Sequence, residues 1–90
     1  MVKEKDIPKS TTEEITGSVY ELVLFNDNVN EFGFVIDTLI EVCDLEPIQA
    51  EQITLIVHEK GKCGVIAGSL EELKPKYEIL INKGLTVSIE

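Results

Sequence analysis

Ninety residues with 8 basic and 17 acidic side chains, a formal net charge of -9, give room for one compact core and not for two. Every basic residue is a lysine, so no guanidinium fork is available for phosphate and the net charge repels a polyanion, which argues against nucleic acid as a partner. No apolar run approaches bilayer length, so no membrane partner is expected, and the isolated cysteines Cys43 and Cys63 form neither a disulfide framework nor a metal-ligand pattern.

Residues 1–18 offer Lys, Glu, Asp, Ser and Thr with scattered Val2, Ile7 and Ile15, too few apolar side chains to offset the entropy of ordering. They read as a flexible N-terminal tail. Because the tail lacks the charged-then-apolar order of a leader, the protein is expected in the cytoplasm. Residues 19–90 read as the core domain. Val19 to Phe25 alternates Tyr20, Leu22 and Leu24 against Val19, Glu21, Val23 and Phe25, the period of a largely buried strand, and Asn26-Asp27-Asn28 is a turn-forming end to it.

Asn30 is placed to cap a first helix in which Phe32, Val35, Ile36, Leu39, Ile40 and Cys43 recur at three- and four-residue spacing. Pro47 suits the first turn of a second helix, where Ala50, Ile53, Thr54 and Val57 repeat that spacing, His58 lies on the last turns and Gly61 is a stop signal. Cys63 to Ala67 reads as a second strand. Ser69-Leu70-Glu71-Glu72 is a capping box that opens a third helix with Leu70, Leu73, Tyr77, Leu80 and Ile81 inward. Pro75 leaves two possibilities, a kink in that helix or a short turn followed by a helix that starts at Pro75. Gly84 ends the helix, and Leu85, Val87 and Ile89 alternate with polar residues as a third strand. The order βααβαβ predicts an α+β fold, a three-stranded antiparallel sheet packed against three helices.

Three blocks then carry a resemblance. The stretch LVLFNDNVNEFGFVI from Leu22 to Ile36, a hydrophobic strand running into N-D-N and an aromatic-rich helix start, resembles the signature of the ClpS family, the adaptor proteins of ATP-dependent Clp proteases. Ala50-Glu51-Gln52 followed by VHEKGKCGV from Val57 to Val65 is similar to the family's helix ending in V-H and a glycine turn into a strand. Glu72-Leu73-Lys74 and the segment from Gly84 to Glu90 resemble its last helix and strand. Together the blocks span about residues 19 to 90, and the family's three strands and three helices come in the order derived above.

The resemblance implies a protein that is not an enzyme and carries no cofactor or metal. Such an adaptor is a monomer that binds substrate proteins by an N-terminal Leu, Phe, Tyr or Trp and delivers them to the N-terminal domain of a Clp AAA+ unfoldase, of the ClpA or ClpC type. Matched by position, Asn26, Asp27, Asn28 and His58 would accept hydrogen bonds from the substrate's α-ammonium group, His58 only while its ring is neutral. Asn30, Phe32, Thr54, Val57 and Leu85 would form the pocket for the bulky side chain. Burying a Leu or Phe contributes on the order of 1.5–3 kcal/mol, which after association costs predicts affinity in roughly the micromolar range. Glu72 and Lys74 match the unfoldase-docking positions, and the tail would assist transfer.

The chain departs from the family at four places. Asn28 stands where a second aspartate is usual, which keeps an acceptor and loses a charge, and Phe32 replaces a more pliant methionine at the pocket gate. Ser69 stands where a docking glutamate is usual, and the segment from Gly61 to Gly84 is shorter by about a turn of helix. Two rival readings remain: a ClpS-like binding module with weakened or altered ligand specificity, and a small thiol enzyme using Cys63 and His58. No motif supplies that enzyme with an orienting group or an oxyanion site.

Overall fold

The alternating segment forms β1 (Tyr20–Phe25) in a computed structural model that describes residues 18–90. The expected tail falls, but for Ser18, outside the described residues. After β1 come α1 (Phe32–Cys43), α2 (Pro47–Lys60), β2 (Lys62–Gly68), α3 (Leu70–Asn82) and β3 (Val87–Ile89), the βααβαβ order of an α+β fold. Strand β1 lies in the middle, antiparallel to β2 on one side and β3 on the other. Leu22 and Leu24 therefore have neighbours on both edges and helices above, and both are buried in one core with Leu39, Ala50, Ile53, Val57, Leu73, Leu80, Leu85 and Val87. Val23, pointing the other way by strand alternation, is also shielded, at 3% exposure.

The pairing of β1 with β2 contains one irregularity. Leu22 faces Ile66 but Val23 faces Gly64, so Val65 is an extra residue, a β-bulge, on β2. At Gly64 the carboxylate of Glu21 occupies the space a Cβ would need, a close approach that glycine permits.

Helix α1 begins one residue later than the cap expected at Asn30. Glu31 is the N-cap, in extended conformation and without a side-chain cap bond. The Asn30 carboxamide is instead drawn to other partners: its Nδ2 and the residue's backbone amide both donate to Asp27, each at 3.0 Å, and Nδ2 also donates to the Gly84 carbonyl. Helix α2 starts at Pro47 and ends at Gly61, whose φ of 97° lets its amide turn back to the Val57 carbonyl at 2.9 Å.

Helix α3 has the expected capping box: the Ser69 amide donates to Glu72 Oε1 at 2.9 Å, and the Ser69 hydroxyl accepts from the Glu72 amide at 3.1 Å. Ser69→Ala is expected to cost about 0.5–2 kcal/mol, read as a lower midpoint in urea denaturation, and an unchanged midpoint would show that the cap contributes nothing. The helix runs unbroken through Pro75 rather than starting there. Leu73 and Leu80 are buried and Tyr77 packs partly against the core on both sides of the proline, which holds the helix across its one missing hydrogen bond. Leu70 and Ile81, expected inward, are 46% and 42% exposed. The face through Leu73, Tyr77 and Leu80 is narrower than the predicted stripe, with Leu70 overhanging the first turn and Ile81 about 100° round the helix from Leu80.

At the end of α3, Gly84 takes a φ of 92°. Its amide donates to the Ile81 carbonyl and the Leu85 amide to the Leu80 carbonyl, both at 3.0 Å. This paired closure turns the chain sharply and brings Leu85 against Leu80, both buried. No helix among the described residues is long and apolar enough to cross a membrane.

Candidate functional site

The end of β1, the turn into α1, the first turn of α1, the last turns of α2 and Leu85 enclose a cavity of about 280 Å³. Its walls include all four positions matched to amine binding, Asn26, Asp27, Asn28 and His58, and all five matched to the side-chain pocket, Asn30, Phe32, Thr54, Val57 and Leu85. Leu24, Phe25 and Val35 line it as well and were not singled out from sequence. Val35 follows Phe32 by one helical turn, a spacing that could have signalled it. Glu72 and Lys74 lie outside the cavity, exposed on the first turns of α3.

The interior is apolar because each wall is also a piece of core. Leu24, Val57 and Leu85 are 2%, 5% and 4% exposed. Thr54 is buried too, and its hydroxyl donates to the Ala50 carbonyl at 2.7 Å, which satisfies the group within α2. The rim is polar. Asn26, Asn28 and His58 are exposed, and among the described residues none of their side chains makes a hydrogen bond within the protein. The Asn26 backbone is fixed, its amide donating to the Gly61 carbonyl at 2.9 Å, so this end of β1 is pinned to the turn that follows α2. The His58 ring meets the half-exposed Phe32 ring edge to face, with centroids 6.1 Å apart and planes at 83°. One of these side chains comes from the start of α1 and the other from the last turns of α2.

Asp27 differs from its neighbours in that its carboxylate is already engaged. Partial burial would raise its pKa, but the Asn30 and Val29 amides, the Asn30 side chain and the Thr86 hydroxyl all donate to it and together hold it below the ordinary aspartate value. Burial pushes both thiols the other way, that of Cys43 against the attraction of Lys76 and that of Cys63 with added repulsion from Glu21. Cys63 lies outside the cavity and its thiol donates to the Gly64 carbonyl at 3.2 Å. That environment disfavours a thiolate, which a nucleophile requires. Among the described residues no group of three or more His, Cys, Asp or Glu side chains could hold a metal ion.

Residues 16–88 match the family model for ATP-dependent Clp protease adaptor protein ClpS. Curated relatives named ATP-dependent Clp protease adapter protein ClpS include one from Nitratidesulfovibrio vulgaris, 40% identical over 58 residues, 62% of this chain and 58% of the relative. Another, from Cronobacter sakazakii, is 37% identical over 68 residues, 73% of this chain and 61% of the relative. A third, from Hydrogenovibrio crunogenus, is 37% identical over 57 residues, 61% of this chain and 55% of the relative. The matched stretch thus spans little more than half the length of these relatives. In fold the chain is similar to Agrobacterium tumefaciens ClpS2 bound to L-phenylalaninamide, with a TM-score of 0.68, 19% identity, and coverage of 80% of this chain and 94% of that one. With the family model covering most of the chain and the three strands and three helices in the same arrangement, the chain belongs to the ClpS family of ATP-dependent Clp protease adaptor proteins.

Proposed function

We propose that the cavity receives the first residue of a substrate polypeptide, a bulky hydrophobic Leu, Phe, Tyr or Trp with a free amine, and that the protein hands the substrate to a Clp AAA+ unfoldase. The observation that carries this reading is the meeting of Asn26 and His58, acceptors whose side chains bond no other described residue, on the rim of one apolar cavity walled by Phe32, Val57 and Leu85. An α-ammonium group at the rim needs such acceptors, because a partly buried cation without hydrogen bonds is costly. A volume of about 280 Å³ is at the low end for ligand sites, roughly 300–1,000 Å³ for drug-sized molecules, and suits one side chain rather than a run of peptide. The ClpS2 structure supports the reading, since L-phenylalaninamide is a single aromatic residue with a free amine.

Discrimination follows from the walls. Val and Ile carry their branch at the carbon next to the backbone, where Phe32 and the turn crowd the mouth, whereas Leu and Phe branch one carbon deeper. Delivery requires a second surface. Lys74 is exposed at the start of α3, while the Glu72 carboxylate is partly taken up in capping Ser69, so Lys74 is the freer of the two docking positions.

Calorimetry with Leu-, Phe- and Val-headed peptides tests the pocket. Leu and Phe are expected to bind in roughly the micromolar range and Val at least about tenfold more weakly, with Asn26→Ala and His58→Ala each weakening the Leu-headed peptide about tenfold or more, in line with hydrogen bonds to a charged group. Equal binding of all three peptides, or full binding by both variants, would remove the pocket from consideration. Failure to retain the N-terminal domain of a Clp unfoldase of the ClpA or ClpC type in a pull-down would limit the protein to binding without delivery.

A further inference from the structure

The β1–α1 turn contains a hydrogen-bonded device that recognition of an amine does not require. Asp27 Oδ1 accepts from the backbone amides of Val29 and Asn30, each at 3.0 Å. Its Oδ2 accepts from Asn30 Nδ2 at 3.0 Å and from the Thr86 hydroxyl at 3.3 Å. Asn30 Nδ2 donates a second time, to the Gly84 carbonyl at 2.9 Å. A carboxylate has about four lone-pair sites, and four donors already converge on this one. Three of the five bonds are local, but those from Thr86 and to Gly84 cross to the α3–β3 connection, distant in sequence. Gly84 and Thr86 are the neighbours of Leu85, which forms a wall of the cavity.

We propose that Asp27 is a positioning residue rather than a ligand for the amine: with Asn30 it latches the turn that presents Asn26 and Asn28 to the segment that presents Leu85. The proposal rests on the amine-binding reading above and reassigns two of its residues. Asp27, though it lines the cavity, has no acceptor left for an ammonium group. Asn30 acts through its carboxamide as the bridge between two walls. The latch keeps the polar rim and the apolar wall at a fixed distance in the free protein, so that binding does not have to order either one. A preorganised site of this kind gains affinity by avoiding that cost.

Asp27→Asn separates the two halves of the device. The new side chain keeps one carbonyl oxygen for the Val29 and Asn30 amides, which preserves the turn, and sets an NH2 group against Asn30 Nδ2, where donor meets donor, while the Thr86 hydroxyl has to turn round and accept. Nuclear magnetic resonance of the peptide-free protein is expected to show the Asn30 side-chain NH2 pair and the Gly84, Leu85 and Thr86 amides moving in this variant. Calorimetry is expected to show a loss of about tenfold for a Leu-headed peptide. Thr86→Val removes one donor from a residue that does not line the cavity, and is expected to weaken binding a few-fold in the wild-type background and by less in the Asp27→Asn background. If Asp27→Asn lowers affinity while the Asn30 and Gly84 to Thr86 resonances stay in place, or if the Thr86→Val effect is fully additive, Asp27 touches the amine and the latch is wrong. The resonance experiment needs no ligand and judges the latch alone, whereas a wild-type protein that binds no Leu-headed peptide overturns the amine-binding reading and the positioning role with it.

Discussion

Acetylating the amine of a Leu-headed peptide is expected to weaken its binding at least a hundredfold while leaving every apolar contact available. The modification removes the positive charge and two of the three donors at once. Each hydrogen bond from a charged group contributes about 1.5–3 kcal/mol, and two acceptors at the rim, the side chains of Asn26 and His58, bond no other side chain or backbone group among the described residues. Two such bonds correspond to at least two factors of ten at about 1.4 kcal/mol each. Asn28 carries no charge, and among the described residues the one carboxylate lining the cavity, Asp27, already accepts from four internal donors, so under the proposed function discrimination against the acetylated peptide rests on the hydrogen bonds at the rim. Competition by the acetylated peptide against a fluorescent Leu-headed probe checks this. An acetylated peptide within about threefold of the free one would mean that the cavity takes hydrophobic side chains without regard to the chain terminus.

Leu80→Ala is expected to be strongly destabilising. Leu80 has 0% exposure and sits in the core cluster, and deleting such a side chain costs about 2–5 kcal/mol, more where the surroundings cannot collapse into the space. In a domain of this size each kcal/mol lowers the melting temperature by roughly 4–8 °C, so a fall of at least about 8 °C is expected. The site would also feel the change. The Leu85 amide bonds the Leu80 carbonyl where the chain leaves α3 and both side chains belong to one core cluster, so a hole at Leu80 is expected to loosen the wall that Leu85 forms and to weaken the binding of Leu-headed peptides at temperatures where the variant is still folded. Leu70→Ala, at a 46% exposed position of the same helix, serves as the control and should stay within about 0.5 kcal/mol of the parent. Comparable losses from the two would mean that α3 is not anchored through Leu80.

The elements legible in the sequence are those fixed by local rules. Alternation around Leu22 and Leu24, the three-and-four spacing of Ala50, Ile53, Thr54 and Val57, the stop at Gly61 and the reciprocal cap of Ser69 and Glu72 each depend on residues within a turn or two of one another. What the pattern missed involves competition or distance. Asn30 has the acceptor of a cap, but its donor, Nδ2, orients the carboxamide toward Asp27, three residues earlier, and toward the Gly84 carbonyl, a partner remote in sequence. The path through Pro75 was undecidable because the packing of Leu73, Tyr77 and Leu80 that carries the helix across the gap is tertiary. The cavity was not visible in periodicity at all. Its walls come from both ends of the core, and its residues were singled out only through family resemblance; Leu24 and Val35 had been accounted for as core positions and Phe25 as part of a strand.

The extra residue at Val65 has a consequence for the end of β2 nearest the cavity. Because strand neighbours alternate sides, a shift of one position exchanges inside for outside. With flush pairing continued past Leu22, Cys63 would sit opposite Phe25 and point to water, and the Lys62 ammonium would be driven under the helices. The inserted residue restores the opposite choice: Cys63 pairs with Leu24 and packs against the core, and Lys62 pairs with Phe25. Its ammonium lies 5.8 Å from the centre of the Phe25 ring and 4.0 Å from Glu90, held on the outer side of the sheet. A single unpaired valine thus keeps the Lys62 cation out of the interior beside the cavity.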